Sequence, residues 1–470
     1  MPVEARGQVN KGRKVFVIAA FGLYYLVGRI SRGRRLQNLT LLALSYVFYA
    51  LWDWRWCLLL AAVTASGFLG ALLLDRSQAR RGPILLGVLV LDLAALGAFK
   101  YFGFFADSFA ALLRGVGLHA DWVTLKLVLP VGISYYMFQN LSYVIDVYRR
   151  ELPATRDALE YATALSFFPQ LLAGPITRSR ELLPQLFARR SFDDARARDG
   201  LRQVLWGLTK KMLIADNIGV QVDYAWNNIA RLDGVSLVTV AVLYSIQIYC
   251  DFSGYADIAI GTAKLFNLRL SKNFEYPYFS VSVRMFWRRW HITLASWMRD
   301  YVYIPLGGSR IGAWRHAFNL LITFLLVGLW HGAAWTFVIW GGLHGSYLIV
   351  ESRLRGRGAR VGGVVAGVVV FALVTFAWVF FRAPSLGAAT EYLLQAVTRP
   401  FGAGDFARFV PTLLLSAALL GYELLTRVWE HGRAISAAPL PARWAPYLGL
   451  SMTPLLFGFL GASQGIYVQF

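Results

Sequence analysis

A single histidine lies inside a long apolar stretch of the sequence. Residues 317–340 carry one ionisable side chain, His331, which is flanked by the indoles of Trp330 and Trp335. A titratable group at bilayer depth costs free energy, so it usually marks a functional site. An imidazole titrates near neutral pH and can take the proton of a hydroxyl group, which contributes about 10²–10⁴ to a rate. The sequence therefore predicts that His331 is a general base.

Small and aromatic residues surround this histidine. Gly328 and Gly332 form a Gly-x-x-x-Gly pair, which allows a neighbouring helix to approach closely or leaves a cavity beside the imidazole. The two indoles either exclude water from the site or pack at an interface. At about 1.5 Å per residue, the distance from Arg315 puts His331 deep in a hydrocarbon core about 30 Å thick. Both substrates of such a base must therefore reach inward.

A second histidine follows a run of aromatic and basic residues, and the run continues to Tyr301. Helical spacing gathers its aromatic residues on one side and its arginines, Arg288, Arg289 and Arg299, on the others. The residues of the first group are Trp287, Trp290, His291, Leu294, Met298 and Tyr301. This pattern predicts an interfacial amphipathic helix with His291 turned inward. An equally open alternative is that His291 is an interface residue bonded to a carbonyl group.

Two carboxylates, Asp251 and Asp257, lie in another apolar stretch, with Tyr255 between them. They are six positions apart and therefore face different sides of a helix. We expect two separate anchors, with Lys264, Arg288 or Arg289 as candidate cations, in preference to a catalytic carboxylate pair. A direct chemical role for the two carboxylates is the alternative.

Several catalytic signatures are missing from the sequence. It has no His-Glu-x-x-His zinc motif, no phosphate loop ending in Lys-Ser/Thr and no Gly-x-Gly-x-x-Gly motif. The remaining histidines, His119, His316, His344 and His431, lack the spacing of metal ligands, so no metal and no bound cofactor is expected. On one continuous helix His344 would lie about 220° around from His331, so we expect it to face away and to be structural.

The composition predicts an all-α, polytopic membrane protein with one integral membrane domain, 1–470. Of the 470 residues, 57% are hydrophobic and 16% are charged, and the mean hydropathy is +0.50; soluble domains carry about 25% charged residues. Since a crossing helix needs about 20 apolar residues, we expect about 11 spans. They lie near 15–28, 36–51, 57–74, 83–100, 124–148, 203–222, 235–262, 317–351 (one span or a hairpin), 362–381, 409–426 and 446–464. Prolines in Ala158–Pro175 favour a re-entrant or interfacial helix there.

The net charge of +21 does not indicate nucleic-acid binding, because the cations fall in short loops between the spans. Alternation puts most basic loops, including 178–211 and 264–315, on one side, which the positive-inside rule assigns to the cytoplasm. The cations Arg6 to Lys14 precede the first span and conflict with this assignment.

Five motifs resemble those of the membrane-bound O-acyltransferase family, in order and over nearly the whole chain. Within the family they are similar to the bacterial branch that includes the alginate O-acetyltransferase membrane subunit and the D-alanyl transfer protein of teichoic acid synthesis. The motifs are Leu129–Gln139, Ser166–Ile176, Asp251–Ala259, Trp287–Gly308 and Gly328–Ala334. The likeness extends to the terminal Ile466–Phe470.

The resemblance implies a ring-like bundle with interfacial and re-entrant helices around a central tunnel, in the bacterial inner membrane. It implies that His331 is catalytic and that His291 is the accessory histidine. Substrate would contact the residues around them, Trp287, Arg288, Arg289, Trp290, Trp330, Asp251 and Tyr255. Arg284-Met285 stands where relatives usually carry an acidic residue, which puts any contact made by that carboxylate in doubt.

These observations predict an O-acetyltransferase that carries acetyl from a cytoplasmic thioester, acetyl-CoA or an acyl carrier protein, across the membrane. Basic residues between Lys264 and Arg310 suit such an anionic donor, although positive-inside topology and lipid contact also explain them. The acceptor would be an extracytoplasmic polysaccharide, reached directly or through an extracytoplasmic acetyltransferase partner. The alternatives are D-alanyl transfer from a carrier protein to a cell-wall polymer and, in another class, an ion-coupled transporter.

Overall fold

The structure is a computed structural model in which every described element is helical. It describes residues 3–30, 33–117, 129–356, 363–399, 406–428 and 448–453, together with 402, 439 and 456. No strand occurs in these ranges. The all-α prediction is confirmed for this part of the chain. His119, His431 and Ile466–Phe470, like most of the predicted span 446–464, fall outside it.

The described residues form two compact units. The first comprises Met1–Leu201 and Ala259–Ser271. Its helices are α1 (Val3–Ile30), α2 (Arg34–Asp53), α3 (Trp56–Arg76), α4 (Arg81–Leu96), α5 (Phe102–Gly115), α6 (Ile133–Tyr148), α7 (Ala158–Ser166), α8 (Phe168–Leu171), α9 (Ser179–Leu186) and the first part of α10 (Asp194–Leu208). Helix α6 is buried over most of its length and packs on α3 and α4.

The second unit comprises Arg202–Ile258 and Lys272–Phe470. Its helices are the rest of α10, α11 (Asp216–Asn227), most of α12 (Gly234–Leu265), α13 (Val283–Arg289), α14 (Ile292–Met298), α15 (Ala313–His331), α16 (Trp335–Gly356), α17 (Gly363–Arg382), α18 (Leu386–Thr398) and α19 (Phe406–Val428). Two π-helical segments, Thr209–Ala215 and Arg299–Tyr303, continue α10 and α14. Every histidine considered below belongs to this unit.

Six helical segments in the described ranges are long and apolar enough to cross a bilayer. They are Trp56–Arg76, Arg81–Gly115, Gly234–Leu265, Ala313–His331, Gly363–Arg382 and Phe406–Leu425. Each overlaps a span that the sequence predicts. The chain is thus a multi-pass membrane protein, while the count of about 11 spans and the ring around a tunnel stay predictions.

The predicted segment 317–351 is a hairpin. Helix α15 ends at His331, and α16 begins at Trp335 and packs along it. The two backbones touch at glycines: a β-carbon at Gly328 would lie 2.2 Å from the carbonyl oxygen of Phe337, and one at Gly341 would lie 2.2 Å from that of Phe324. Of the two outcomes predicted for the glycine pair, close helix approach occurs at Gly328.

The segment Ala158–Pro175 forms no full span, as predicted. Its two short helices, α7 and α8, are separated at Phe167. The rest of the segment, from Leu172 to Pro175, is not helical. Pro169 occupies the first turn of α8, where its missing N–H has no helical partner to lose.

The prediction of one continuous amphipathic helix around His291 is wrong. The chain leaves the helical conformation at Trp290 and His291, and His291 has a left-handed backbone with φ of 43°. Two seven-residue helices, α13 and α14, result. Helical periodicity alone could not predict this break, because a left-handed residue that is not glycine requires support from tertiary contacts.

Candidate active site

His331 terminates α15 and is enclosed by aromatic rings. Its side chain is 2% exposed. The ring centroid lies 4.9 Å from Trp330, 5.1 Å from Trp340 and 5.2 Å from Phe381, each in an edge-to-face arrangement. These neighbours come from α15, α16 and α17, so three helices fix the position of the imidazole.

His291 is held by a side-chain amide. Its Nδ1 lies 3.1 Å from Oδ1 of Asn273. The same oxygen accepts hydrogen bonds from the backbone N–H and the hydroxyl of Thr293, at 3.2 and 2.9 Å. Because a backbone N–H can only donate, that atom is an oxygen, and Nδ1 of His291 must carry the proton. Burial lowers the pKa of His291 well below its ordinary value, which leaves a neutral ring with the lone pair on Nε2.

The two histidines lie next to each other although forty positions separate them in the sequence. Their ring centroids are 6.3 Å apart. The indole of Trp330 contacts both rings, at 4.9 Å from His331 and 5.6 Å from His291. The phenyl ring of Phe252 packs on the other side of His291, at 4.5 Å. An imidazole pair of this kind can position a hydroxyl group and accept its proton.

Trp340 is a further indole beside His331, and sequence reasoning missed it. Trp335 is 53% exposed at the start of α16. The expected rotation between His344 and His331 assumed one continuous helix, whereas the chain is non-helical at 332–334 between them. Trp340 lies 5.1 Å from His331 and 4.9 Å from His344, so one indole packs on both imidazoles.

His344 accepts a hydrogen bond from Trp287, one of the aromatic residues that precede His291 in the sequence. The indole N–H of Trp287 donates to Nδ1 of His344 at 3.2 Å. Trp290, also predicted to contact substrate, is fully buried between Phe274 and Trp378, each at 5.1 Å. The described geometry gives Trp290 a packing position.

The two aspartates of α12 are separate anchors, as predicted, but their partners differ from those expected. Asp251 binds Nζ of Lys211 at 2.6 Å, and Asp257 binds Nζ of Lys210 at 2.5 Å. Both lysines lie in the π-helical segment that follows α10. Lys210 also donates to the hydroxyl of Ser253 at 2.8 Å. These pairs hold the part of α12 that carries Phe252 against His291.

A cavity of about 420 Å³ is lined by residues of α13, α14 and α15, the helices that precede and follow His291 and the helix that ends at His331. Its polar lining includes the exposed arginines Arg284, Arg288 and Arg299, and its apolar lining includes the buried Leu294 and Val327. Val327 lies one helical turn before His331 on α15, and Leu294 lies three residues after His291. The cavity therefore combines a cationic rim of exposed arginines with buried apolar residues, and His331 and His291 are not among its lining residues.

The other predicted site residues have distinct positions. Trp287 and Arg288 line the cavity. Arg289 donates to the carbonyl of Phe279 at 3.2 Å. Tyr255 is half-buried on α12, one turn after Asp251. Contact of these residues with substrate stays a prediction.

Sequence reasoning missed the residues that support the histidines. Lys210 and Lys211 carried a usable signal, because two adjacent lysines inside a predicted span need carboxylate partners. Asn273, Trp340 and Phe381 carried none, since nothing in the sequence marks a particular amide or aromatic residue as a contact of a given histidine.

Residues 149–381 match the sequence profile of MBOAT, the membrane-bound O-acyltransferase family. The probable alginate O-acetylase AlgI of Azotobacter vinelandii is 41% identical over 420 residues, which cover 87% of this chain and 82% of that relative. The peptidoglycan O-acetyltransferase of Helicobacter pylori is 34% identical over an alignment that covers 80% of this chain and 77% of that relative. The teichoic acid D-alanyltransferase of Bacillus subtilis is 26% identical over an alignment that covers 47% of this chain and 58% of that relative.

Proposed function

Because this chain belongs to the membrane-bound O-acyltransferase family, we propose that it O-acetylates an extracytoplasmic polysaccharide from a cytoplasmic thioester, across the bacterial inner membrane. Two relatives that cover most of the chain support acetyl as the acyl group, since they are named an alginate O-acetylase and a peptidoglycan O-acetyltransferase. The observation that carries the proposal is the pair of buried imidazoles, His331 and His291, whose ring centroids lie 6.3 Å apart.

His331 acts as the general base in this proposal. It takes the proton of the acceptor hydroxyl, and the acceptor oxygen forms an ester bond with the acetyl carbonyl carbon. The carbon–sulfur bond breaks, and the leaving thiolate takes the proton from His331. Enclosure by Trp330, Trp340 and Phe381 supports this role, because exclusion of water protects a thioester from hydrolysis.

His291 orients the acceptor. The hydrogen bond from its Nδ1 to Asn273 fixes the tautomer, so its Nε2 presents a lone pair. A hydroxyl group that donates to this nitrogen would be held close to the ring of His331, whose centroid lies 6.3 Å from that of His291. Orientation of this kind lowers the barrier by making the step effectively intramolecular.

The donor enters through the cationic rim. Arg284, Arg288 and Arg299 suit the phosphates of coenzyme A or the acidic surface of an acyl carrier protein. The buried apolar lining suits the thioester arm that both donors share. His331 itself is buried, so the arm must displace side chains beyond Val327 to reach it; contacts at catalytic sites often tighten or rearrange only when substrate is bound.

The thioester is a co-substrate, and no bound cofactor or metal is part of the proposed reaction. On the outer side the acceptor is the polysaccharide itself or an extracytoplasmic acetyltransferase partner that completes transfer to the sugar. Transfer of D-alanine from a carrier protein to a cell-wall polymer is the second candidate, because the Bacillus subtilis relative bears that name.

A donor competition tests the proposal. Purified protein in nanodiscs is offered labelled acetyl-CoA, an acetylated carrier protein and a D-alanylated carrier protein, each with a polysaccharide acceptor, and thioester loss and acceptor mass are followed. We expect loss of acetyl thioester that depends on acceptor. Turnover of the D-alanylated carrier alone would replace the first candidate by the second, and no turnover of any thioester would remove both.

A further inference from the structure

The first unit contains a cationic pocket that the proposed reaction does not use. It has a volume of about 430 Å³ and lies between α9, the start of α10 and the residues that follow α12. Its lining is Gln185, Arg189, Arg190, Ser191, Arg196, Asn267 and Arg269. Four of these seven residues are arginines.

Arg190 is a buried charge at this pocket whose hydrogen-bond partners are all neutral. Its side chain donates to the hydroxyl of Tyr24 at 2.6 Å, to the amide oxygen of Asn38 and to the carbonyl of Gln185 at 3.1 Å. It is 5% exposed. Gln37 fixes the position further, because its amide group bonds both the N–H and the carbonyl of Arg190. A buried guanidinium usually has a carboxylate partner.

The carboxylates near the pocket are occupied elsewhere. Glu181 accepts from the hydroxyl of Ser271, and Asp193 accepts from the backbone N–H of Arg196. Asp194 pairs with Arg198, and Asp199 pairs with Lys264. Among the described residues, no ion pair joins any of the four pocket arginines to a carboxylate. In the described ranges the four pocket arginines therefore have no carboxylate in direct contact, while Glu181 and Asp193 accept only from neutral donors and keep their charge.

We propose that this pocket binds the phosphate group of an anionic ligand. Guanidinium groups present parallel N–H donors that match phosphate oxygens, and Arg189 and Arg269 are exposed and can turn toward such a group. The neutral partners of Arg190 keep its charge in place without neutralising it. The ligand supplies the missing counter-charge.

The surroundings favour a phosphate on a lipid headgroup. Phe187 and Phe192, on either side of the Arg189–Ser191 turn, are exposed aromatic side chains. Arg189 donates to the carbonyl of Gly28 at 2.9 Å, close to the end of the apolar stretch Phe16–Ile30. Basic pockets at the ends of membrane helices are suited to anionic headgroups, while exposed aromatic rings suit the adjoining acyl chains. Free phosphate has the same chemistry and is the other source.

Binding measurements on the intact protein test this site. Wild-type protein in phosphatidylcholine nanodiscs is titrated with phosphatidylglycerol, which native mass spectrometry counts, and separately with inorganic phosphate by calorimetry. The variants are Arg189→Gln/Arg269→Gln and the charge-preserving Arg189→Lys/Arg269→Lys. Arg198→Gln, an exposed arginine of the same region outside the pocket, is the matched control.

We expect saturable binding by wild type and Arg198→Gln, weakened about tenfold for each pocket arginine replaced by glutamine. The lysine pair should also bind several-fold more weakly, because lysine lacks the guanidinium fork. Saturation with phosphatidylglycerol identifies a lipid headgroup, and saturation with inorganic phosphate identifies a soluble ligand. Binding that is unchanged in the lysine pair, equally weakened in Arg198→Gln, or not saturable with either probe would overturn the proposal.

Discussion

His331 and His291 are neighbours, yet the protein holds them differently. His291 is fixed through Asn273, whose amide oxygen also binds Thr293, so its ring has one orientation and one tautomer. His331 is surrounded mainly by aromatic rings. The fixed ring of His291 suits an orienting group. The surroundings of His331 suit a base that must both accept and release a proton.

His331→Gln should abolish acetyl transfer, with a loss of at least about 100-fold, because glutamine cannot accept the hydroxyl proton. The assay is consumption of labelled acetyl thioester per folded molecule. His344→Gln is the matched control, since His344 packs on the same Trp340 and a glutamine oxygen can accept the N–H of Trp287. Equal loss in both variants would assign the effect to the aromatic cluster and not to the base.

The pH dependence of stability should carry a signature of His291. Its folded pKa is lowered by burial, while the unfolded chain titrates near about 6.5. The unfolded state thus binds more protons, so stability rises with pH and is lost as the pH falls below about 6.5.

Thermal unfolding in detergent between pH 5 and 8 measures this slope. His291→Asn should reduce it, because asparagine does not titrate, tolerates the left-handed backbone and keeps a donor for Asn273. A variant with the full wild-type slope would show that His291 does not supply the effect.

At the scale of elements, the α15–α16 hairpin decides where the imidazole of His331 lies. The two helices approach so closely that Gly328 and Gly341 have no space for a side chain. This contact places Trp340 of α16 against His331 of α15. Because the helix is interrupted after His331, Trp340, which is nine residues further along the chain, can fold back and pack on the imidazole.

Gly341→Ala should lower the thermal midpoint and the transfer rate together. Its β-carbon would lie 2.2 Å from the carbonyl oxygen of Phe324, so the helices must separate, at a cost of about 1–3 kcal/mol. Gly342→Ala is the control on the same helix, because its β-carbon would be 3.6 Å from Leu325. That variant should match or exceed wild-type stability, since alanine favours helices. Equal midpoints for the two variants would refute the packing argument.

At the scale of the whole molecule, apolar and charged residues have different roles. Apolar spans hold the chain in the bilayer, and the excess of cations falls in the loops. Part of that charge lines the cavity through Arg284, Arg288 and Arg299. A cationic rim should attract an anionic donor before any specific contact forms, and salt should screen that attraction.

Arg288→Gln should therefore raise KM for acetyl-CoA several-fold, leave kcat nearly unchanged and weaken the dependence of kcat/KM on ionic strength. Steady-state kinetics between low and physiological salt measure all three quantities. Arg310→Gln removes an exposed cation of the same loop region that does not line the cavity. If it raises KM as much as Arg288→Gln does, general loop charge and not the rim attracts the donor.

Several features could be predicted because they depend on residues close together in the chain. Apolar runs located six of the spans, and the lone imidazole in 317–340 identified His331. The spacing of Asp251 and Asp257 predicted two separate anchors. Their partners were not predicted: Lys210 and Lys211 lie 47 and 40 residues away, and although two lysines inside a predicted span call for carboxylates, nothing local assigns which carboxylate each one binds.

The sequence by itself determined that the chain crosses the membrane and belongs to an acyltransferase family, because hydropathy and ordered motifs are properties of the linear chain. Only the tertiary structure decided that His291 lies 6.3 Å from His331 and that the indole of Trp340 packs on both His331 and His344. Helical periodicity assumes an unbroken helix, whereas the chain is interrupted at His291 and again after His331. Packing among distant segments stabilises these interruptions, so no local pattern encodes them.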